Sequence, residues 1–355
     1  MQSIREWFNR HLSNPQVVAL ALVLIAGFAL VLILGNMLAP VLASVVIAYL
    51  LEGVVRRLEA RGARRTLAVT LVFVVFIAVL LFMLLGLLPR LSHQLTQFVQ
   101  QLPDMIARGH QALLLLPDKY PNFITEEQVT QVIAGLRTEL GALGQRALSL
   151  SLASLVGLVV FLVYVILVPM LVFFFLKDKQ RILNWVTGYL PRERALSTVV
   201  WADVDRQIGN YVRGKVWEIF IVGVVTYVTF KLMGLQYTVL LATLVGLSVI
   251  IPYIGAMLAT VPVALIAYFQ FGWGADFAWI MIAYLIIQAL DGNVLVPVLF
   301  SEVVNLHPVA IIVAVLLFGG IWGFWGVFFA IPLATLVQAV LKAWPRALET
   351  EAEAR

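Results

Sequence analysis

An acidic residue beside a helix-breaking glycine interrupts the apolar C-terminal third of the sequence. Asp291 follows the largely apolar run Trp279–Leu290 and precedes Gly292 and Asn293. A carboxylate placed among apolar helices can bind a proton and a cation in turn, which is the chemistry of an ion exchanger. The alternative is that Asp291 ends a helix at a hydrated surface, where its charge has no special role. The pattern favours the first interpretation, so Asp291 is the leading candidate for the pathway of an ion or a solute.

Four further polar side chains are candidates for the same pathway. Gln288 and Asn293 can hydrogen-bond a polar solute, although an amide inside an apolar helix more commonly bonds another helix. His307 can change its charge near neutral pH, but it precedes a proline and can equally shape a turn. Glu218 lies near one end of an apolar stretch and Lys231 near the other. Both are expected to extend along their apolar stems towards water.

Prolines and glycines interrupt the apolar sequence around these side chains. Broken helices leave backbone groups without intrahelical partners, and transporters use such groups at their binding sites. The stretches Gly255–Pro262 and Gly326–Pro332 are similar in sequence, which is a weak signature of an internal repeat. The residues predicted to break or bend helices are Pro252, Gly255, Pro262, Pro297, Pro308, Gly323, Gly326 and Pro332.

The composition identifies the solvent in which these residues fold. Hydrophobic residues make up 62% of the chain and charged residues 12%, whereas a soluble domain carries about 25% charged residues. A chain of this kind is predicted to be an all-α integral membrane protein, a helical bundle with some broken or re-entrant helices. There is no cysteine, which excludes disulfides and thiolate metal sites. The modest net charge of +5 does not indicate a nucleic-acid surface.

Apolar stretches of about 20 residues, the length that crosses a bilayer as a helix, divide the chain. Val17–Leu34 and Met37–Leu51 are separated only by Gly35 and Asn36, which predicts a tight helical hairpin. Val239–Phe269 is predicted to contain at least one re-entrant hairpin. The predicted organisation is transmembrane helices 1–3 in residues 1–88, a periplasmic segment at 89–149, a fourth span at 150–176, a cytoplasmic segment at 177–215, a core of broken helices at 216–341 and a cytoplasmic tail at 342–355.

Basic residues orient these segments. The arginines of segment 52–66 and the lysines and arginines of segment 177–215 place both segments in the cytoplasm. Three crossings from a cytoplasmic N-terminus then put residues 89–149 outside, where helical periodicity predicts a small amphipathic hairpin used for packing or oligomerisation. Segment 177–215 is expected to lie along the inner face of the membrane.

The order of the helix breaks resembles one known family. The motifs are Arg213-Gly214, Ile251-Pro252-Tyr253-Ile254-Gly255, Asn293 with Pro297, Leu306-His307-Pro308, the glycine cluster 319–326 and Ile331-Pro332. Together they resemble the autoinducer-2 exporter family. The resemblance implies a bacterial transporter of the cytoplasmic membrane, with about seven or eight transmembrane helices and cytoplasmic termini. Family members are linked to export of the furanone signal autoinducer-2, and some to sodium–proton exchange.

Three functions remain open at the level of sequence. The leading hypothesis is a secondary transporter that exports a small polar metabolite such as autoinducer-2. The second is a sodium–proton antiporter that uses Asp291, and the third is a membrane scaffold that acts through segments 89–149 and 177–215. An enzyme is not expected, because the sequence has no zinc, nucleophile-elbow or phosphate-loop motif. The expected partners are the lipid bilayer, a small-molecule or ion substrate and further copies of the chain, with no metal, cofactor or nucleic acid.

Overall fold

The computed structural model describes residues 15–114, 135, 155–189, 195–252, 254–300 and 307–338. In these ranges the chain is helical apart from short turns and contains no strand. The helices are α1 (Pro15–Ala60), α2 (Arg65–Phe82), α3 (Leu88–Leu114), α4 (Leu155–Lys177), α5 (Lys179–Gly188), α6 (Ala195–Leu232), α7 (Thr238–Ser248), α8 (Ile254–Phe271), α9 (Ala275–Leu290), α10 (Val296–Phe300), α11 (Pro308–Trp322) and α12 (Phe324–Phe328). A further helical stretch covers 330–338. Wide π-helical turns at Met83–Leu87 and Asp291–Leu295 join α2 to α3 and α9 to α10.

Helix α1 runs without a break through the position where a hairpin was predicted. It contains 46 residues, which corresponds to about 69 Å at 1.5 Å per residue. The hairpin prediction was wrong because Gly35 and Asn36 each cost only about 1 kcal/mol or less inside a helix. Even Pro40 is accommodated within α1. The predicted cytoplasmic location of the N-terminus counted this hairpin as two membrane crossings. A single continuous helix does not support that count.

Four of the described helical stretches are long and apolar enough to cross a membrane, and a bent pair would make a fifth. The four are Met37–Ala60, Arg65–Gly109, Ile254–Phe271 and Ala275–Phe300, and the pair is Phe161–Lys177 with Lys179–Gly188, bent by 79°. The predicted total of seven or eight spans therefore stays a prediction. The apolar stretch that begins at Glu218 and ends near Lys231 is not among the four. Its helix, α6, carries Lys215, Glu218 and Lys231 within or next to its apolar part.

The short helix α7 and helix α8 form an antiparallel hairpin. At one end, Gln270 accepts a hydrogen bond from the Gln236 N–H at 2.8 Å and donates one to the Gly234 carbonyl at 2.9 Å. At the other end, Gly255 packs directly against the Ser248 carbonyl, with no room for a Cβ atom. Residues 249–253 separate the two helices. The chain is therefore interrupted within 239–269, as predicted, and α7, at about 16 Å, is too short to cross a bilayer. That the hairpin is re-entrant stays a prediction, because α8 is long and apolar enough to span the membrane by itself.

Helix α6 lies against the same hairpin so closely that backbone meets backbone. A Cβ atom at Gly246 of α7 would lie 2.9 Å from the Ile219 carbonyl oxygen and 3.1 Å from the Gly223 Cα atom of α6. Helix α7 therefore requires glycine at position 246, because a methyl group there would force the helices apart. A Cβ atom at Gly223 would lie no closer than 3.6 Å to its neighbours, so that position tolerates a small side chain.

The remaining predicted breaks differ in their outcome. Gly323, with φ of 58°, ends α11, and Gly326 packs against the Phe318 carbonyl much as Gly255 packs against Ser248. Pro308 occupies the first turn of α11, and Pro332 lies near the start of the helical stretch 330–338. Pro297 follows the π-helical turn that opens at Asp291.

Pro262 does not break its helix, and a bend at this position stays a prediction. It lies inside α8, which continues to Phe271. Proline removes one donor, the N–H that would reach the Leu258 carbonyl. The neighbours Ala259 and Val263 are fully buried, so packing on both sides of the proline holds the helix together.

Three apolar clusters organise the described helices. One joins α1, α2 and α4, a second joins α6, α7, α8 and α9, and the third joins α6 with α10, α11 and 330–338. At the end of the first cluster, Glu52 binds Lys179 at 2.9 Å and Arg65 at 3.4 Å. The Tyr49 hydroxyl donates to the Asp205 carbonyl at 2.7 Å and so links α1 to α6.

The two amphipathic segments are only partly described. The first arm of the predicted periplasmic hairpin is helix α3, whereas most of the second arm and the tail 342–355 lie outside the described residues. Helix α5 turns sharply away from α4, as expected of a helix lying along a surface. However, residues 195–215 are not a separate surface element, since they form the first half of α6.

Candidate functional site

Lys215 and Glu218 form a buried ion pair on α6. The Lys215 Nζ atom lies 2.6 Å from the Glu218 Oε2 atom, and the two side chains are 5% and 3% exposed. The residues are three positions apart, so one helix face presents both. The prediction that Glu218 extends to water is therefore wrong, whereas Lys231, near the C-terminal end of α6, is exposed as predicted. Two charges removed from water cost several kcal/mol each unless further contacts compensate them.

The broken hairpin supplies one such contact to Lys215. Its Nζ atom donates a hydrogen bond of 2.9 Å to the Val249 carbonyl. That carbonyl is free to accept because α7 ends at Ser248, and the last carbonyls of a helix have no intrahelical partner. The rings of Phe300 and Tyr211 lie 5.2 Å and 6.0 Å from the Nζ atom, where aromatic faces stabilise a cation.

Asp291 completes a cluster of three charged groups. It opens the π-helical turn after α9, at a place where Pro297 provides no N–H for the Asn293 carbonyl. The Oδ1 atom of Asp291 is buried and has no hydrogen-bond partner among the described residues. The carboxyl group is close enough to Lys215 and Glu218 to interact electrostatically with both. One ammonium thus lies within electrostatic range of two carboxylates, so the group is neutral only when one carboxyl holds a proton or a further cation binds.

A polar face of α9 leads away from this cluster. Tyr284, Gln288 and Asp291 follow one another at spacings of four and three residues, which places them on one side of the helix. The Tyr284 hydroxyl lies 3.0 Å from the Ala256 carbonyl and 3.1 Å from the Thr260 hydroxyl. The Gln288 side chain lies beside the Tyr284 hydroxyl, one helical turn away. Hydroxyl and amide groups thus continue from the charged cluster towards the first turn of α8.

Two predicted site residues take other roles. The Asn293 side chain is exposed and donates to the Ala289 carbonyl of its own helix at 2.8 Å. His307 is also exposed, and its Nδ1 atom accepts the Val309 N–H at 3.2 Å, which caps the start of α11. The structure therefore brings together Glu218, Gln288 and Asp291, and leaves Asn293 and His307 apart from them.

The residue that sequence reasoning missed is Lys215. It was counted among the basic residues that orient segment 177–215 in the cytoplasm. The signal that could have identified it is its spacing of three from Glu218, at the point where the apolar half of α6 begins. A lysine and a glutamate at that spacing can pair on entering an apolar environment.

Comparison with known proteins identifies the family to which this site belongs. A family model described as "AI-2E family transporter" matches residues 19–346. The chain belongs to the AI-2E transporter family. The match includes α6, the α7–α8 hairpin and the Asp291 turn, and it confirms the family that the order of helix breaks resembles.

Named relatives of this AI-2E transporter agree with a membrane transport role. The chain is 47% identical over 345 residues to "Putative permease PerM" of Escherichia coli (strain K12), which covers 97% of this chain and 98% of the relative. It is 28% identical over 301 residues to "Putative transport protein YueF" of Bacillus subtilis (strain 168), covering 83% of this chain and 80% of the relative. Together with the apolar helices, family membership identifies a multi-pass membrane transport protein.

Proposed function

We propose that this AI-2E family transporter exports a small polar metabolite such as autoinducer-2 across the bacterial cytoplasmic membrane, driven by protons. The observation that carries the proposal is the cluster of Lys215, Glu218 and Asp291 beside a broken helix. The cluster has one more carboxylate than ammonium groups, and an uncompensated charge is very costly in an apolar interior. A proton bound to one carboxylate removes this excess negative charge. The sequence offers no phosphate-binding loop, so a gradient supplies the energy.

Asp291 is the proposed proton carrier. When it is protonated, Lys215 and Glu218 form a neutral pair, and Lys215 is free to hold the Val249 carbonyl. When the proton leaves, the second carboxylate competes with that carbonyl for the Lys215 ammonium. The two protonation states therefore favour different contacts at the end of α7, and a proton shifts the balance between two arrangements of the hairpin.

The polar face of α9 is the proposed path for the solute. Tyr284, Gln288 and Thr260 offer hydroxyl and amide groups, which donate and accept hydrogen bonds without requiring a charged partner. A neutral, hydroxyl-bearing solute can donate to and accept from these groups. This set of groups favours a polar metabolite over an ion.

A sodium–proton antiporter is the second candidate, favoured by a specific feature of the site. The Val249 carbonyl and the carboxylates of Glu218 and Asp291 are oxygen ligands of the kind that hard cations bind. However, the Lys215 ammonium lies between the Val249 carbonyl and Glu218, at 2.9 Å and 2.6 Å. A sodium ion must displace a tethered cation, which makes export of a neutral solute the better-supported proposal.

Reconstitution of the purified protein in liposomes tests the proposed function. We expect autoinducer-2 flux to rise several-fold when a pH gradient is imposed, and sodium to leave proton movement unchanged. Sodium-dependent proton flux without any autoinducer-2 flux would favour the antiporter. Liposomes that move neither solute nor cation would leave the scaffold as the remaining function.

The proposed orientation has its own test. Segments 52–66 and 177–215 are placed in the cytoplasm and residues 89–149 in the periplasm. Because the chain has no cysteine, single cysteines can be introduced at Gln111 and Gln180. In intact spheroplasts, a membrane-impermeant thiol reagent should label the Gln111→Cys variant and not the Gln180→Cys variant, and the reverse pattern would overturn the orientation.

Homo-oligomerisation stays a prediction, since the exposed apolar face of α2 suits lipid and a second copy alike.

A further inference from the structure

A polar cavity of about 330 Å³ lies at the end of the α7–α8 hairpin that is remote from Lys215. It is enclosed by α3 on one side and by the α6–α7 turn and the end of α8 on the other. Its polar lining consists of Gln101, Asp104, Arg108, Gln236 and Gln270. None of these residues belongs to the charged cluster, so the cavity is a separate feature of the molecule.

Contacts of α3 with the hairpin hold the cavity in shape. The Gln94 Oε1 atom accepts the Leu240 N–H at 2.8 Å, in the first turn of α7. The Phe98 ring meets the Tyr237 ring edge to face, with centroids 5.6 Å apart. Further along α3, Gly109 brings the backbone close to the Phe269 ring. On the opposite wall, the two side-chain hydrogen bonds of Gln270 fix the α6–α7 turn. The α3 wall and the α6–α7 wall of the cavity are therefore each held in place by their own contacts.

The lining selects a class of ligand. Three amides offer both donors and acceptors, and one carboxylate with one guanidinium leaves the lining without net charge. Met105 and Phe269 add a small apolar surface. The volume lies at the lower end of the range of about 300–1,000 Å³ for ligand sites. These properties fit a compact, neutral molecule with several hydroxyl groups, and they fit neither a large apolar ligand nor an isolated ion.

We infer that this cavity is a second binding site for a compact, hydroxyl-rich neutral solute, at the far end of the hairpin from the Lys215 cluster. The inference rests on the proposed export function, because it places the two ends of one solute pathway about 16 Å apart along α7. Solute bound there contacts α3 and the base of the hairpin, and solute at the polar face of α9 lies towards the break at residues 249–253.

Protection of an introduced thiol tests the site without relying on transport. The full-length Met105→Cys variant, purified in detergent, is labelled with a maleimide in the presence of autoinducer-2 or D-ribose at millimolar concentration. We expect labelling to slow at least fivefold with either probe, and to be unaffected by succinate, which is of similar size but doubly charged. The matched control is Ala107→Cys, an exposed position of α3 outside the lining, whose labelling should not change. No protection by either probe, or equal slowing in the control, would overturn the inference.

A flux measurement separates this inference from the proposed function. The double variant Gln101→Leu with Gln236→Leu should raise the KM for autoinducer-2 about tenfold and leave the proton dependence of flux unchanged. An unchanged KM would overturn the second site while wild-type flux still supports export. If labelling of the Met105→Cys variant is slowed by the probes but the wild-type protein shows no autoinducer-2 flux, the second site is supported and export is overturned.

Discussion

Replacement of Lys215 by methionine is expected to abolish proton-driven flux and to lower the free energy of unfolding by about 3–5 kcal/mol. Methionine retains most of the apolar stem but removes the ammonium, which leaves the Glu218 carboxylate and the Val249 carbonyl buried without their partner. Denaturant unfolding in detergent measures the stability, and liposome flux measures the transport. Lys231→Met, at the exposed end of the same helix, is the matched control and should change stability by less than about 0.5 kcal/mol.

A second substitution distinguishes the ion pair from a simple packing effect. Lys215→Met combined with Glu218→Gln removes both charges, so most of the lost stability should return, as it does when buried pairs are replaced by neutral groups. Proton-driven flux should not return, because Asp291 can still bind a proton but the Lys215 ammonium, through which its charge acts on the Val249 carbonyl, is gone. If the single variant is as stable as the wild type, the buried pair does not contribute as the structure indicates.

The Asp291→Asn variant is expected to lose all accumulation of autoinducer-2 against a gradient, whereas downhill flux should fall less than tenfold. An amide cannot release a proton, so the coupling is lost, but asparagine keeps the shape and hydrogen-bonding capacity of the side chain. Flux in liposomes with and without an imposed pH gradient separates the two effects. An unchanged oligomer profile on size exclusion shows that the variant is folded.

The control for this variant is Asp276→Asn, at the exposed start of the same helix, which should leave accumulation intact. Complete loss of downhill flux in Asp291→Asn would contradict solute export and favour the antiporter. Normal accumulation in Asp291→Asn would show that the proton is carried elsewhere.

The sequence was sufficient to predict features that depend on local chemistry. Pro252 and Gly255 predicted an interrupted hairpin because proline lacks a donor and glycine permits close backbone approach. Asp291 is a candidate site residue because a carboxylate in an apolar run is costly; its position next to the Lys215 pair is consistent with that role, which stays a prediction. Family membership followed from the order of such features along the chain.

Features that depend on tertiary contacts could not be predicted in the same way. The pairing of Lys215 with Val249 requires knowing that the end of α7 returns to α6, which no local pattern encodes. Pro262 and the Gly35–Asn36 pair failed to interrupt their helices because continued packing or helix formation outweighs costs of a few kcal/mol or less. The cavity beneath α3 likewise arises from elements that are distant in sequence.

The glycine crossing between α6 and α7 has a mechanical consequence. Where the backbones approach at Gly223 and Gly246, no side chain lies between them to absorb a displacement, so we expect a shift of one helix to be passed directly to the other. Lys215, Glu218 and the Val249 carbonyl therefore travel together. Asp291 sits on α9, which is fastened to α8 through Tyr284 and Ala256. The charged cluster thus joins the end of α7 and helix α6 to helix α9, and under the proposed function a proton arriving at Asp291 alters the force that holds these helices together.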